Sequence, residues 1–168
     1  MSDGHFDPGP AIEALLDHGV RFVIIGGVAA QLLGSPTVTR DLDICYSRDV
    51  QNLEHLAAAL RQIGARLRGR NVPEDLPFRL DAATLAAGDH FTFATSAGPF
   101  DILGVPSGSE GFDQLVRNAV RSTYGEREVL VAHIDDLITM KRAAGRRKDL
   151  IMVEELGALR DRLDEGTP

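Results

Sequence analysis

The sequence predicts a mixed α+β fold, a largely antiparallel sheet closed by helices at both ends. Three observations carry this. A helix–strand–helix unit hinged on Gly26-Gly27 opens the chain, short β-branched or alternating runs fill its middle, and two amphipathic helical stretches end it. The 168 residues suit one domain with a buried core.

Residues 1–10 are polar, carry Pro8 and Pro10, and are expected to form a loose N-terminal arm. Ala11 to His18 places Ile12, Leu15 and Leu16 at helical spacing, and Gly19 supplies a stop. Val20 to Ile25 is a β-branched, apolar run of strand length that ends in Gly26-Gly27. Val28 to Leu33 returns to helix formers before Gly34, Ser35 and Pro36 close it. Asp41 to Tyr46 reads as a second strand. Val50 to Ile63 is an amphipathic helix with Leu53, Leu56, Ala57, Leu60 and Ile63 on one side. Residues 64–88, broken by glycines, Pro73 and Pro77, are expected to be mostly loop with short elements. His90 to Ala94 and Phe100 to Val105 form a hairpin about Gly98-Pro99. Val116 to Val131 reads as two more strands around Tyr124-Gly125. Asp135 to Ala144 and Leu150 to Leu163 follow as helices joined by a basic linker, Gly145 to Lys148. No internal repeat or boundary is visible, so 1–168 reads as a single domain with helices across 133–163.

Apolar residues make up 43% of the chain and charged residues 26%, the balance of a soluble globular protein. No apolar run approaches the roughly 18 residues of a membrane span. The N-terminus lacks a basic segment followed by an apolar one, and the single Cys45 cannot form an internal disulfide. The expectation is a cytoplasmic protein with no membrane partner. A net charge of −7 argues against a broad nucleic-acid surface, although positive charge is clustered. Arg61, Arg66, Arg68 and Arg70 form one group; Lys141, Arg142, Arg146, Arg147 and Lys148 form another that holds both lysines of the chain. Either group reads as a contact for RNA phosphates or as a solvated face. The five histidines share no metal-ligand spacing, and Cys45, in an apolar run, reads as a core residue.

The chemistry gathers at Asp41-Leu42-Asp43. Alternation along a strand points both carboxylates the same way, about 7 Å apart, with Leu42 turned into the core. Such a pair repels itself unless a cation sits between its members, and oxygen ligands of this kind suit Mg²⁺ or Mn²⁺. Phosphoryl transfer commonly uses two such ions roughly 3.5–4 Å apart, held by a third carboxylate from a neighbouring strand. Asp101, between Phe100 and Ile102, is the candidate third member. Gly26-Gly27 ends a strand and opens a helix, where free N–H groups and the dipole favour phosphate. Near the other end, Lys141 lies one turn beyond Leu137 at the edge of an apolar stripe, so its stem can pack while its ammonium reaches a cleft.

Gly26-Gly27, thirteen intervening residues and Asp41-Leu42-Asp43 resemble the signature of the DNA polymerase β-like nucleotidyltransferase superfamily. The segment FVIIGGVAAQLLGSPTVTRDLDI is similar to the AbiEii-type branch, which includes toxins of toxin–antitoxin pairs. That branch has Gly-Gly where many members have Gly-Ser, and a run matched here by Thr39-Arg40-Asp41-Leu42-Asp43. Its downstream lysine helix and acidic position are matched by Lys141 and by Arg147-Lys148-Asp149. The likeness covers residues 20–46 and 133–156. It implies the nucleotidyltransferase fold and transfer of NMP from an NTP substrate to an acceptor hydroxyl, with Mg²⁺ or Mn²⁺ on Asp41, Asp43 and Asp101. It also implies nucleotide contacts from Gly26, Gly27, Thr39, Arg40 and Lys141, with Asp149 supporting the site. The acceptor it suggests is a tRNA 3′ end, as for a toxin with a cognate antitoxin. The alternatives are a minimal antitoxin that transfers AMP to a protein, and a non-catalytic module that binds nucleotide or a partner.

Overall fold

A computed structural model describes residues 5–166. Helix α1 (Gly9–Asp17) starts behind Pro8 and leads, through Gly19 at φ +69°, into β1 (Phe22–Ile25). Then come α2 (Gly26–Leu32), β2 (Leu42–Tyr46), α3 (Val50–Gln62), β3 (Arg66–Leu67), α4 (Ala82–Ala87), β4 (His90–Ala94) and β5 (Phe100–Leu103). The remainder is α5 (Phe112–Asn118), β6 (Val120–Tyr124), β7 (Arg127–Val131), α6 (Ile134–Ala144) and α7 (Arg147–Glu165). The seven strands form one sheet in the order β3-β4-β5-β2-β1-β7-β6. Its pairings are antiparallel except β1–β7 and β2–β5, so the sheet is mixed and mostly antiparallel.

The core forms because the two central strands alternate. Leu42, Ile44 and Tyr46 of β2, with Phe100 and Ile102 of β5, are fully buried on one face. Asp43 and Asp101 therefore lie on the opposite face. α3 packs its Leu53, Leu56 and Leu60 stripe inside; its first turn is capped by Asp49, which accepts from the Asn52 N–H at 2.8 Å.

The structure departs from the sequence-based expectation in three places. A helix, α5, occupies residues where the sequence predicts the start of a strand. It is only seven residues long, its Val116 favours strand by type, and it forms by burying Phe112 and Leu115 one turn apart. The basic linker is two residues shorter than expected, because Arg147 and Lys148 belong to the first turn of α7. Finally, the expected N-terminal arm, whose first four residues lie outside the described ones, gives way to α1 at Gly9. Asp7 fixes that start by accepting from the Gly9 N–H and the Tyr124 hydroxyl, each at 2.9 Å. Among the described residues no helix is long and apolar enough to cross a membrane.

Candidate active site

Strand register assembles the acidic site. Antiparallel pairing sets Ile25, the last residue before the glycines, opposite Asp43; parallel pairing sets Asp43 beside Asp101. Asp41 stands just before β2. One oxygen from each of the three carboxylates lies within 4.8 Å of the others. Among the described residues this is the one group of three or more His, Cys, Asp or Glu side chains close enough to share an ion.

Their electrostatics show the strain of that arrangement. Burial, followed by the charges of Asp41 and Asp101, pushes the Asp43 carboxyl up to about 7, against a smaller opposing pull from Lys141. Asp101 is raised as well, chiefly by burial and by Asp41, with Arg68 and Thr92 pulling the other way. Asp101 Oδ1 is buried with no hydrogen-bond partner; the Arg68 guanidinium stands 3.6 Å away. A buried carboxylate oxygen whose nearest cation stands beyond hydrogen-bond distance, in a cluster of three carboxylates, fits the donor set of a hard divalent cation.

The glycines have a direct steric role. Gly26 sits at φ +68°, and a Cβ there would collide with the Asp43 carboxylate. A Cβ on Gly27 would meet Thr39 Cβ and Oγ1 at 2.7 Å. Thr39 Oγ1 in turn donates to the Asp41 backbone carbonyl and carboxylate, both at 3.2 Å. Bare backbone thus makes room for Asp43 at Gly26 and, at Gly27, for the Thr39 that bonds Asp41. Gly26→Ala is expected to cost about 1–3 kcal/mol and to displace Asp43. Melting and Mg²⁺ titration check this; wild-type values in both would contradict it.

The far wall comes from α6 and α7. Lys141, 25% exposed, reaches the buried Asp149, 1% exposed, at 3.4 Å. Arg146 holds the same carboxylate through Nε at 2.7 Å and through its backbone N–H at 3.2 Å, which caps α7. Burial alone would raise Asp149, but the Arg146 hydrogen bond and the two positive charges outweigh it and hold the carboxyl below its usual range. Asp149 thus reaches the site by holding Lys141 and Arg146.

Two clefts meet at the carboxylates. The larger, about 460 Å³, is walled by Gly27, the Thr37–Thr39 segment, Lys141, Arg146 and the first half of α7. The smaller, about 360 Å³, reaches Asp43 and Asp101 from another side, between Leu103, Ser107 and α6 residues Leu137 and Met140. Asp41 faces only the larger; Asp43, Asp101, Lys141 and Arg146 face both. Arg40 is exposed and lines neither cleft.

Of the residues singled out in the sequence, the structure brings Gly27, Thr39, Asp41, Asp43, Asp101, Lys141 and Asp149 into one cleft, with Gly26 beneath Asp43. Arg68 emerges as a site neighbour only through the β3–β4–β5 pairing: its N–H donates to Thr92, which lies opposite Asp101. No local motif marks that relation. Arg146 is legible in the sequence as positive charge but not as the N-cap position of α7, because an arginine side chain has no acceptor and the capping carboxylate comes from Asp149.

No family model matches the chain, and no curated protein does. Solved structures do. A lincomycin-bound lincosamide antibiotic adenylyltransferase, LnuA, superposes with a TM-score of 0.59 at 14% identity, covering 88% of this chain and 92% of its own. The antibiotic-resistance factor ANT(2'')-Ia gives 0.54 at 13% identity, covering 94% and 89%. An antigenic nucleotidyltransferase-like protein from Paracoccidioides brasiliensis gives 0.53 at 13% identity, covering 95% and 77%. The chain has the nucleotidyltransferase fold. At such identities the likeness speaks for the fold alone, and the chemistry must be argued from the residues.

Proposed function

We propose that this protein is a metal-dependent nucleotidyltransferase that moves NMP from an NTP to an acceptor hydroxyl and releases pyrophosphate. One observation carries it: three carboxylates share a focus where two clefts meet, both reaching the cations Lys141 and Arg146 and the larger also lined by Lys148. Asp41, Asp43 and Asp101 would hold Mg²⁺ or Mn²⁺, which when bound offsets phosphate charge in the transition state.

The chain's own residues perform the rest. Thr39 orients Asp41 through its hydroxyl. Lys141, held by Asp149, offers positive charge to the triphosphate. Asp101 lines the smaller cleft as well as the larger, which places its carboxylate to take a proton from an acceptor seated there. The acceptor oxygen bonds to the α-phosphorus as its proton passes to Asp101. The bond from that phosphorus to the oxygen bridging the β-phosphate breaks, and the electron pair leaves with pyrophosphate.

The AbiEii-type resemblance supports a tRNA 3′ end as acceptor and a toxin–antitoxin role. The lincosamide adenylyltransferase supports a small hydroxylated acceptor instead, and the smaller cleft has the size for one. The test incubates the protein with each α-labelled NTP, Mg²⁺ and, separately, total tRNA, protein extract or small-molecule extract. Transfer to one fraction, absent in Asp43→Ala, is the expected result. Metal-dependent NTP binding without transfer to any fraction would leave a binding module in place of an enzyme.

A further inference from the structure

We propose that the larger cleft contains a nucleobase clamp, in which Val38 and Ile151 hold the base from two sides and Glu155 reads its edge. This rests on the nucleotidyltransferase reading and assigns the part of the nucleotide that the acidic site does not engage.

Two apolar side chains stand exposed in a charged cleft: Val38 at 85% on the segment before β2, and Ile151 at 54% on α7. Neither exposure serves packing. α7 packs through a neighbouring stripe, where Asp149, Leu156 and Leu159 are buried and Met152 and Val153 are partly buried against the core, so Met152 lies on the border of the two faces while Ile151 stands clear of the core. Lys148, Ile151, Met152 and Glu155 all line the cleft, at the i, i+3, i+4, i+7 spacing of one helix face.

That face changes character along its length. Lys148 places a cation at the end shared with Lys141 and Arg146; Ile151 and Met152 are apolar; Glu155 ends it with a carboxylate. At about 1.5 Å per residue the stripe runs roughly 10 Å. A nucleotide has the same order: anionic phosphates, then a flat ring with two apolar faces, then a polar edge. With its triphosphate at the carboxylates and Lys141, its base passes between Val38 and Ile151. A carboxylate only accepts hydrogen bonds, so Glu155 favours an exocyclic amino group. Adenine, guanine and cytosine carry one; uracil does not.

Calorimetry with Mg²⁺ separates the contributions, using inorganic tripolyphosphate and the non-transferable α,β-methylene analogues of ATP and UTP. The ATP analogue is expected to bind wild type roughly tenfold tighter than tripolyphosphate. Val38→Ser and Ile151→Ser, both at exposed positions, should each remove most of that advantage while leaving tripolyphosphate unchanged. Glu155→Gln should narrow the gap between the ATP and UTP analogues, since an amide can also donate to the uracil carbonyl. An ATP analogue bound no tighter than tripolyphosphate, or serine variants that weaken both probes alike, overturns the clamp and leaves nucleotidyl transfer standing. Absence of any Mg²⁺-dependent binding, tripolyphosphate included, overturns the functional reading and the clamp with it.

Discussion

Asp43→Asn is expected to abolish divalent-cation binding and yet raise the melting temperature of the metal-free protein above pH 7. The folded chain holds the Asp43 proton up to about pH 7, whereas an unfolded chain releases it near 3.8. Between those values the native state binds the extra proton, so stability falls as pH rises through the window and levels off above it. The full shift corresponds to at most about 4 kcal/mol, and relaxation of a partly buried site reduces it to about 2. Removing the charge should therefore raise the melting temperature by roughly 4–8 °C at pH 8 in a chelator, with little effect at pH 4. Mg²⁺ should stabilise wild type at pH 8 and leave the asparagine variant unmoved. A variant less stable than wild type at pH 8 in chelator would show that the buried charge of Asp43 does not destabilise the fold.

Asp149→Ala should cost about 2 kcal/mol, because it deletes the α7 cap and the anchor of Arg146 and Lys141 together. The partners Arg146 and Lys141 keep some access to water, which limits the loss. The lowered carboxyl pKa gives the opposite pH signature to Asp43: its stabilisation is present above pH 3.8 and disappears as pH falls through the folded value. The melting temperature should drop by roughly 4–8 °C at pH 7 and by much less at low pH. Where transfer is measurable, KM for NTP should rise as Lys141 loses its position. An unchanged melting temperature would contradict the anchoring role.

Much of the site is legible in the sequence, because its parts are local. Asp41 and Asp43 share a face by strand period alone, and the two glycines sit one short helix away. Asp101 is less so: its place beside Asp43 depends on a parallel β2–β5 pairing that spans more than fifty residues and leaves no local trace. Sequence alone points the glycines at phosphate, whereas their steric need, room for Asp43 and Thr39, is visible only once the sheet closes. Arg68 and the cleft-facing stripe of α7 share that limit. The stripe at 148, 151, 152 and 155 appears once the helix begins at Arg147, whereas the apolar pattern starts it only at Leu150. In the fold, long amphipathic elements such as α3 read clearly, while α5, seven residues with a β-branched Val116, mimics a strand.

The central claim is that Asp41, Asp43 and Asp101 form one divalent-cation site at the meeting of two clefts. Titrating Mn²⁺ into the protein with a non-transferable NTP analogue, followed by electron paramagnetic resonance, tests it directly. Wild type should bind Mn²⁺, Asp43→Asn should abolish that binding, and Asp41→Asn and Asp101→Asn should each weaken it severalfold or more. Wild-type Mn²⁺ affinity in the Asp43→Asn variant would contradict the account.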